Sequence, residues 1–336
     1  MSKWYETSGP QGDIVLSTRV MLSRNLKDYL FPSKLDAEGK KQVAEAVKTA
    51  IFEGGNTSLS FIEMKDLTRL QAVSLAERHA ISPDFADRNE GSALLISEDE
   101  SMSIMLCEED HIKIQAAQRG LDLEKAFARC DEIDSLLDEK LNYAFDEKMG
   151  YLTSRPTELG TAMRASVLVH LPELTALGQI SRLASTVSKL GISITGAYGN
   201  RVRPAGDIYR VSNCITLGIN EETALANLKS IVMQLVSQER SAEEKSVKAP
   251  SQEDKIYRAL GVLQNARLLS TAEFMEMISL VRLGAVNGVI DIPAEKIDSL
   301  IVEMQPATLS VKYEGLESIN ERDAKRADEV RSRLTA

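Results

Sequence analysis

The sequence predicts an α+β fold that gives way to an all-helical region. Two observations carry this expectation. Through about residue 242, short β-prone runs alternate with longer segments of helical period. Beyond about residue 256, the periodic segments are all helical. Length agrees, because 336 residues suit about two domains and can bury a sizeable core. The expected division is a domain at 12–242, a linker at 243–255 and a helical domain at 256–336.

In chain order, Ser8-Gly9-Pro10-Gln11-Gly12 marks a turn. Asp13–Met21 follows as a β-prone strand. Asp36 is placed to cap a helix carrying Val43, Ala46, Val47, Ala50 and Ile51 on one face, ended by Gly54-Gly55. Ala93–Ile96 and Ser103–Cys107 read as a hairpin turning at 97–100. Leu123, Phe127, Cys130, Leu137 and Leu141 fit a long amphipathic helix. A second helix carries Ile180, Leu183, Val187 and Leu190 and stops at Gly191. Residues 221–238 read as a helix. Ser241–Ser251 is polar and aperiodic, which places the boundary there. Beyond it, Ser270-Thr271-Ala272-Glu273 reads as a capping box. Pro293 sits where a helix N1 would lie, and the last helix opens at Asn320.

Composition narrows the function. Forty Lys and Arg against fifty Asp and Glu leave a formal net charge of −10. That argues against direct nucleic-acid binding, which needs a basic face, and against anionic membranes. Cys107, Cys130 and Cys214 match no metal-site spacing, and an odd count suits reduced thiols. No apolar run approaches the ~18 residues that span a bilayer. The start shows no signal-peptide core, so the expected location is cytoplasmic.

Three stretches carry chemistry. Pro156-Thr157-Glu158-Leu159-Gly160-Thr161 is a loop whose N–H groups and hydroxyls can approach an anion, with Arg164 and Ser166 behind it. By itself it also fits an ordinary loop before the apolar run 167–171. Glu108-Glu109-Asp110 lies between two β runs, either as a solvated acidic turn or as a base and clamp for a cationic substrate. Arg322-Asp323-x-x-Arg326-Ala327 puts two arginines at i,i+4 on one helix face near a helix start.

Together these motifs resemble the ATP:guanidino phosphotransferases, and within them most closely the bacterial protein arginine kinases of the McsB family. The resemblance runs from about 12 to 330. It implies an antiparallel sheet flanked by helices, then a small helical domain that mediates dimerisation. It implies nucleotide contacts at Ser17, Thr18, Arg19, Val20 and Met21, at His79, at Lys113, and at Arg164, Ala165, Ser166, Val167 and Leu168. Glu109 takes the catalytic carboxylate position, which deprotonates and orients the guanidinium. Arg322, Asp323, Arg326 and Ala327 match the family's regulatory phosphoarginine motif, with both arginines on the phosphate and Asp323 on the guanidinium.

Several positions depart from the pattern. Met21 and Thr195 stand where the family has phosphate-binding arginines, and Lys113 replaces a third. Asn200 replaces the Glu that faces the target guanidinium, Arg155 a cysteine, and Glu158 an asparagine. Arg201 and Arg203 add positive charge beside Asn200. Loss of one preorganised charge costs about 2.7–4 kcal/mol of transition-state stabilisation, so several together remove most of the rate. The expectation is a degenerate, weakly active or inactive kinase homologue that senses phosphoarginine. An active protein arginine kinase in quality control and stress response is the alternative, and a small-guanidine kinase the second alternative. ATP with Mg²⁺ is the expected cofactor if the site is active, and none if it is not. Expected partners are arginine-containing or arginine-phosphorylated proteins, a second copy of the chain and, by resemblance, a zinc-binding activator and a Clp-type protease.

Overall fold

The structure is a computed structural model that describes residues 3–55, 58–88, 90–198, 204–313, 315–316 and 318–335. The elements of the first part are β1 (Val15–Arg24), α1 (Ala37–Glu53), β2 (Leu59–Glu63), α2 (Arg69–Glu77), α3 (Pro83–Ala86), β3 (Ala93–Ser97), β4 (Met102–Leu106), β5 (Ile112–Arg119) and α4 (Leu123–Asp138). There follow β6 (Phe145–Asp146), β7 (Gly150–Tyr151), β8 (Met163–His170), α5 (Pro172–Ala176), α6 (Ile180–Ser188), β9 (Ile192–Gly196), β10 (Ile208–Asn213) and α7 (Glu221–Ser246). The helical region holds α8 (Pro250–Asn265), α9 (Thr271–Val286), α10 (Ala294–Glu303), α11 (Pro306–Lys312) and α12 (Ile319–Leu334).

Eight strands form one sheet in the order β2-β3-β4-β5-β1-β8-β10-β9, with every neighbouring pair antiparallel. The expected antiparallel sheet flanked by helices, followed by helices alone, is therefore what the chain builds. Strand periodicity sorts the side chains. Val20 and Leu22 of β1, and Ala165, Val167 and Val169 of β8, enter the main core. There they meet Val43 and Val47 of α1, Leu123 and Cys130 of α4, and Leu228, Val232 and Leu235 of α7. Each fully buried Val or Leu contributes about 1.5–3 kcal/mol, so this face holds the fold.

The opposite face is covered at its two ends. At one end α2 and α3 pack Ala72 and Phe85 against Leu94, Ile96 and Met105. At the other, Leu16, Leu168 and Ile208 join the core of the helical region. Arg282 of α9 pins that region down. Its guanidinium donates to the carbonyls of Gly12 and Asp13 at 2.7 and 2.6 Å and to Asp298 of α10 at 2.7 Å. Asp298 also accepts from Arg119 of β5 at 2.5 Å. Burial alone would raise Asp298, but the two arginines outweigh it and hold the carboxyl below its usual range.

Local expectations fare unevenly. Asp36 caps α1, accepting from the Gly39 N–H at 2.8 Å. Residues 243–255, expected as a linker, are helical except 247–249. The apolar pattern misses this because two of the inward positions of α7 are acids, Glu239 and Glu243, both buried. Ser270 accepts from the Glu273 N–H, which is one half of a capping box. Pro293 is the N-cap of α10 rather than its first residue. Ser318 caps α12 in a complete box with Glu321, two residues before the expected start. Leu190 lies beyond α6 and is 61% exposed. Among the described residues, no helix is long and apolar enough to cross a membrane.

Candidate functional site

Between the two covered ends of that second sheet face lies a cavity of about 430 Å³. Its floor is made by alternate residues of neighbouring strands: Arg19 and Met21 of β1, Arg164 and Ser166 of β8, Arg210 and Ser212 of β10. Register brings them together, with Arg19 opposite Ser166, Met21 opposite Arg164 and Ser212 opposite Ser166. The walls are Val73, Ala76 and Glu77 of α2, then His79, Ile81 and Pro83, and Ala197 with Tyr198 beyond β9.

The cavity is cationic. Burial, and then the charge of Arg210, push the Arg19 guanidinium down to about 9, still protonated at neutral pH. Burial, then Arg19 and Arg210, hold the His79 ring well below its ordinary value, so it is neutral there. His79 Nε2 pairs with the Tyr198 hydroxyl at 2.8 Å. Its backbone has a φ of 63°, a left-handed conformation costly for a non-glycine residue. Gln115 of β5 fixes it by donating to the His79 carbonyl at 3.0 Å. The donor set fits a phosphorylated ligand. Among the described residues, no group of three or more His, Cys, Asp or Glu is arranged to hold a metal ion.

The acidic turn sits beside this cavity and is tightly anchored. Asp110 accepts from Asn25 Nδ2 and from the Ser154 N–H, both at 2.7 Å. His111 Nδ1 accepts from the Leu26 N–H at 3.0 Å, and its Nε2 meets the Leu30 carbonyl at 2.8 Å. Glu108 pairs with Lys113 and accepts from Ser82. Burial would lower the Lys113 ammonium, but Glu108 outweighs it and holds the group above its usual value. Glu109 lies 3.7 Å from Lys113 and takes the Arg155 Nε at 2.6 Å. In the loop ahead of β8, buried Glu158 stands 3.7 Å from Arg164.

Comparison with known proteins decides the family. The description "ATP:guanido phosphotransferase, C-terminal catalytic domain" matches residues 40–242, and "Protein-arginine kinase McsB C-terminal domain" matches 250–336. A protein-arginine kinase of Caldanaerobacter subterraneus is 44% identical over 96% of this chain and 97% of its own. One of Halothermothrix orenii is 40% identical over 99% and 97%. The chain belongs to the protein arginine kinase family. The fold agrees: a duplicated taurocyamine kinase of Schistosoma mansoni, carrying transition-state analogue components, superposes with a TM-score of 0.63 at 24% identity. That match covers 79% of this chain and 39% of the other. A lombricine kinase does so with 0.61 at 22%, over 72% and 70%.

Against the family pattern, the structure divides the residues singled out from sequence. Arg19, Met21, His79, Arg164 and Ser166 line the cavity. Val20, Ala165 and Val167 point into the main core. Thr18 is buried and donates to the Gly120 carbonyl at 2.6 Å. Ser17 is buried, and Leu168 packs under the helical region. A contiguous motif on a strand alternates faces, so half of it is core. Thr195 lies on β9 directly opposite Arg210, a cavity residue that the motifs did not mark. Its sequence signal was an arginine alternating with buried Tyr209 and Val211. Asn200, Arg201 and Arg203 lie outside the described residues.

The C-terminal motif lies in the first half of α12. Arg326 is 1% exposed, and its Nε donates to the Met304 carbonyl at 2.9 Å. Its NH1 reaches the Leu269 carbonyl at 2.7 Å and Asp323 at 2.6 Å. Ala327 is fully buried, while Arg322 and Asp323 are partly exposed. The geometry thus ties Arg326 to the packing between α12 and its neighbours, whereas the expectation gave it the phosphate.

Proposed function

We propose that this chain is a protein arginine kinase homologue whose phosphoryl-transfer site has decayed. On this reading it is weakly active or inactive on protein arginine and acts as a phosphoarginine-sensing regulator. The observation that carries it is the Arg155–Glu109 pair at 2.6 Å. Glu109 is the carboxylate that would orient and deprotonate a substrate guanidinium, whose free pKa lies above ~12. A resident guanidinium already holds it. The other pairings support the same reading: Lys113 is neutralised by Glu108, Glu158 sits against Arg164, and Met21 offers no charge to a phosphate.

In this account the 12–242 portion retains the nucleotide-type cleft and the 256–336 portion senses phosphoarginine through Arg322 and Asp323, with Arg326 and Ala327 holding them in place. Partners are arginine-phosphorylated proteins and a second copy of the chain, in the cytoplasm. The alternative is an active kinase, with Mg²⁺ brought by ATP, Arg19, Arg164 and Ser166 on the phosphates, Glu109 as base, and the activator and protease partners of the family resemblance. The activity in the names of the curated relatives favours it. Detection of phosphoarginine on a protein substrate with Mg-ATP, beside a Glu109→Ala control, separates the two. A wild-type signal no higher than the control supports decay, and a robust signal rejects it.

A further inference from the structure

The cavity contains more positive charge than its motif residues bring. Arg210 projects from β10 onto the same face as Arg19 and Arg164, and all three line the cavity. It stands directly across the ladder from Thr195, a position at which paired side chains share one face. Among the described lining residues, Glu77 is the one carboxylate. That carboxylate is committed elsewhere: it accepts from the N–H groups of Ala307 and Thr308 of α11 at 3.0 and 2.7 Å. The buried Nε of Arg19 has no hydrogen-bond partner among the described residues.

We propose that Arg210 and Arg19 form a two-guanidinium site for a phosphoryl group on the floor of the cavity. Arg210 supplies from β10 the cation that Thr195 of the neighbouring strand does not. Like charges on one cavity repel, and a dianion bound between them offsets that repulsion. Each planar guanidinium can present two parallel N–H groups to phosphate oxygens. Ser166 and Ser212, opposite one another on β8 and β10, add hydroxyl donors on the same face. The apolar wall of Val73, Ala76 and Ile81 leaves room for the body that carries the phosphoryl group. A nucleotide and a phosphoguanidine both offer that chemistry. The inference deepens the proposed function, resting on its reading of the cleft as a retained ligand site, but it does not need the kinase reaction to be lost.

The test is calorimetric titration of the full-length chain with inorganic phosphate, ADP and phosphoarginine, without turnover. An Arg322→Ala background removes the C-terminal motif from the signal. Arg210→Gln should weaken the tightest-binding probe at least tenfold, and Arg210→Lys, which keeps the charge but loses the fork, should fall between the glutamine variant and the parent. Tighter binding of ADP than of the other two assigns the phosphoryl group to a nucleotide, and tighter phosphoarginine to a phosphoguanidine; either supports the site. No binding of any probe to the parent overturns it. So does equal affinity in Arg210→Gln, or a lysine variant as weak as the glutamine one. A high kinase rate in wild type would reject the decayed-site reading and leave this affinity ratio standing.

Discussion

The Nε of Arg155 lies 2.6 Å from Oε1 of Glu109, so the carboxylate proposed to orient a substrate guanidinium already holds one. Arg155 is half-exposed, and an exposed pair is worth about 1 kcal/mol at most. Arg155 is therefore a competitor that a substrate guanidinium must displace, one of several losses in the proposed decay. Arg155→Ala should lower the apparent KM for an arginine-bearing peptide by up to about fivefold, with a smaller change in kcat. Steady-state kinetics of the variant measures this, and an unchanged KM would place the block elsewhere.

Nucleotide affinity should be weak for a separate reason. Met21 faces Arg164 across the β1–β8 ladder, and Glu158 approaches the same arginine. Met21→Arg with Glu158→Gln adds one cation and removes one anion. Charge-assisted hydrogen bonds contribute about 1.5–3 kcal/mol each, so Mg-ATP should bind the double variant at least tenfold more tightly. Calorimetry decides; wild-type affinity already in the low micromolar range would contradict the claim.

The two arginines of the C-terminal motif should behave differently. Arg326→Ala leaves the Met304 and Leu269 carbonyls without this donor, at about 1–3 kcal/mol for each buried group left unsatisfied. Its melting temperature should fall by several degrees. Arg322→Ala should melt near wild type yet lose the rise in melting temperature that phosphoarginine gives wild type by mass action. Differential scanning calorimetry with and without phosphoarginine reads both effects. If Arg322→Ala keeps the ligand response, the motif is not a phosphoarginine site.

Glu239 sets a pH dependence. Burial, helped by Glu243 and Glu173, raises its carboxyl to about 8, even though it accepts the Glu173 and Leu174 N–H groups at 2.7 and 3.0 Å. Burial likewise raises Glu243 to about 7, against the pull of Arg282. A folded pKa above the unfolded one means that the native state holds the extra proton. The stabilisation is full below about pH 4.5 and is lost as pH rises through about 8. His79, His111 and His170 are shifted downward and act in the opposite sense. The quantity to read is thus the wild-type minus Glu239→Gln difference in melting temperature. It should decline from pH 5.5 to 8.5; a flat difference would mean that Glu239 does not titrate there.

The fold was legible because its signals are local. The Asp36 cap and the 93–107 hairpin each follow from short-range chemistry, and the family resemblance supplied the strand of residues 208–213 and the sheet. What the sequence hid depends on partners far away. Arg210 reads as one more alternate strand residue until register sets it two strands from Arg19. Arg326 reads as an exposed helix charge until Met304 and Leu269 close over it. Glu239 and Glu243 disguised the end of α7, since buried acids break an apolar pattern without breaking the helix.

The most direct measurement is mass-spectrometric quantification of phosphoarginine on a protein substrate with Mg-ATP, comparing wild type, Glu109→Ala and Met21→Arg/Thr195→Arg/Asn200→Glu. The account predicts that wild type stays close to the Glu109→Ala background and that the triple variant rises well above it. Wild type already as fast as the triple variant would contradict it.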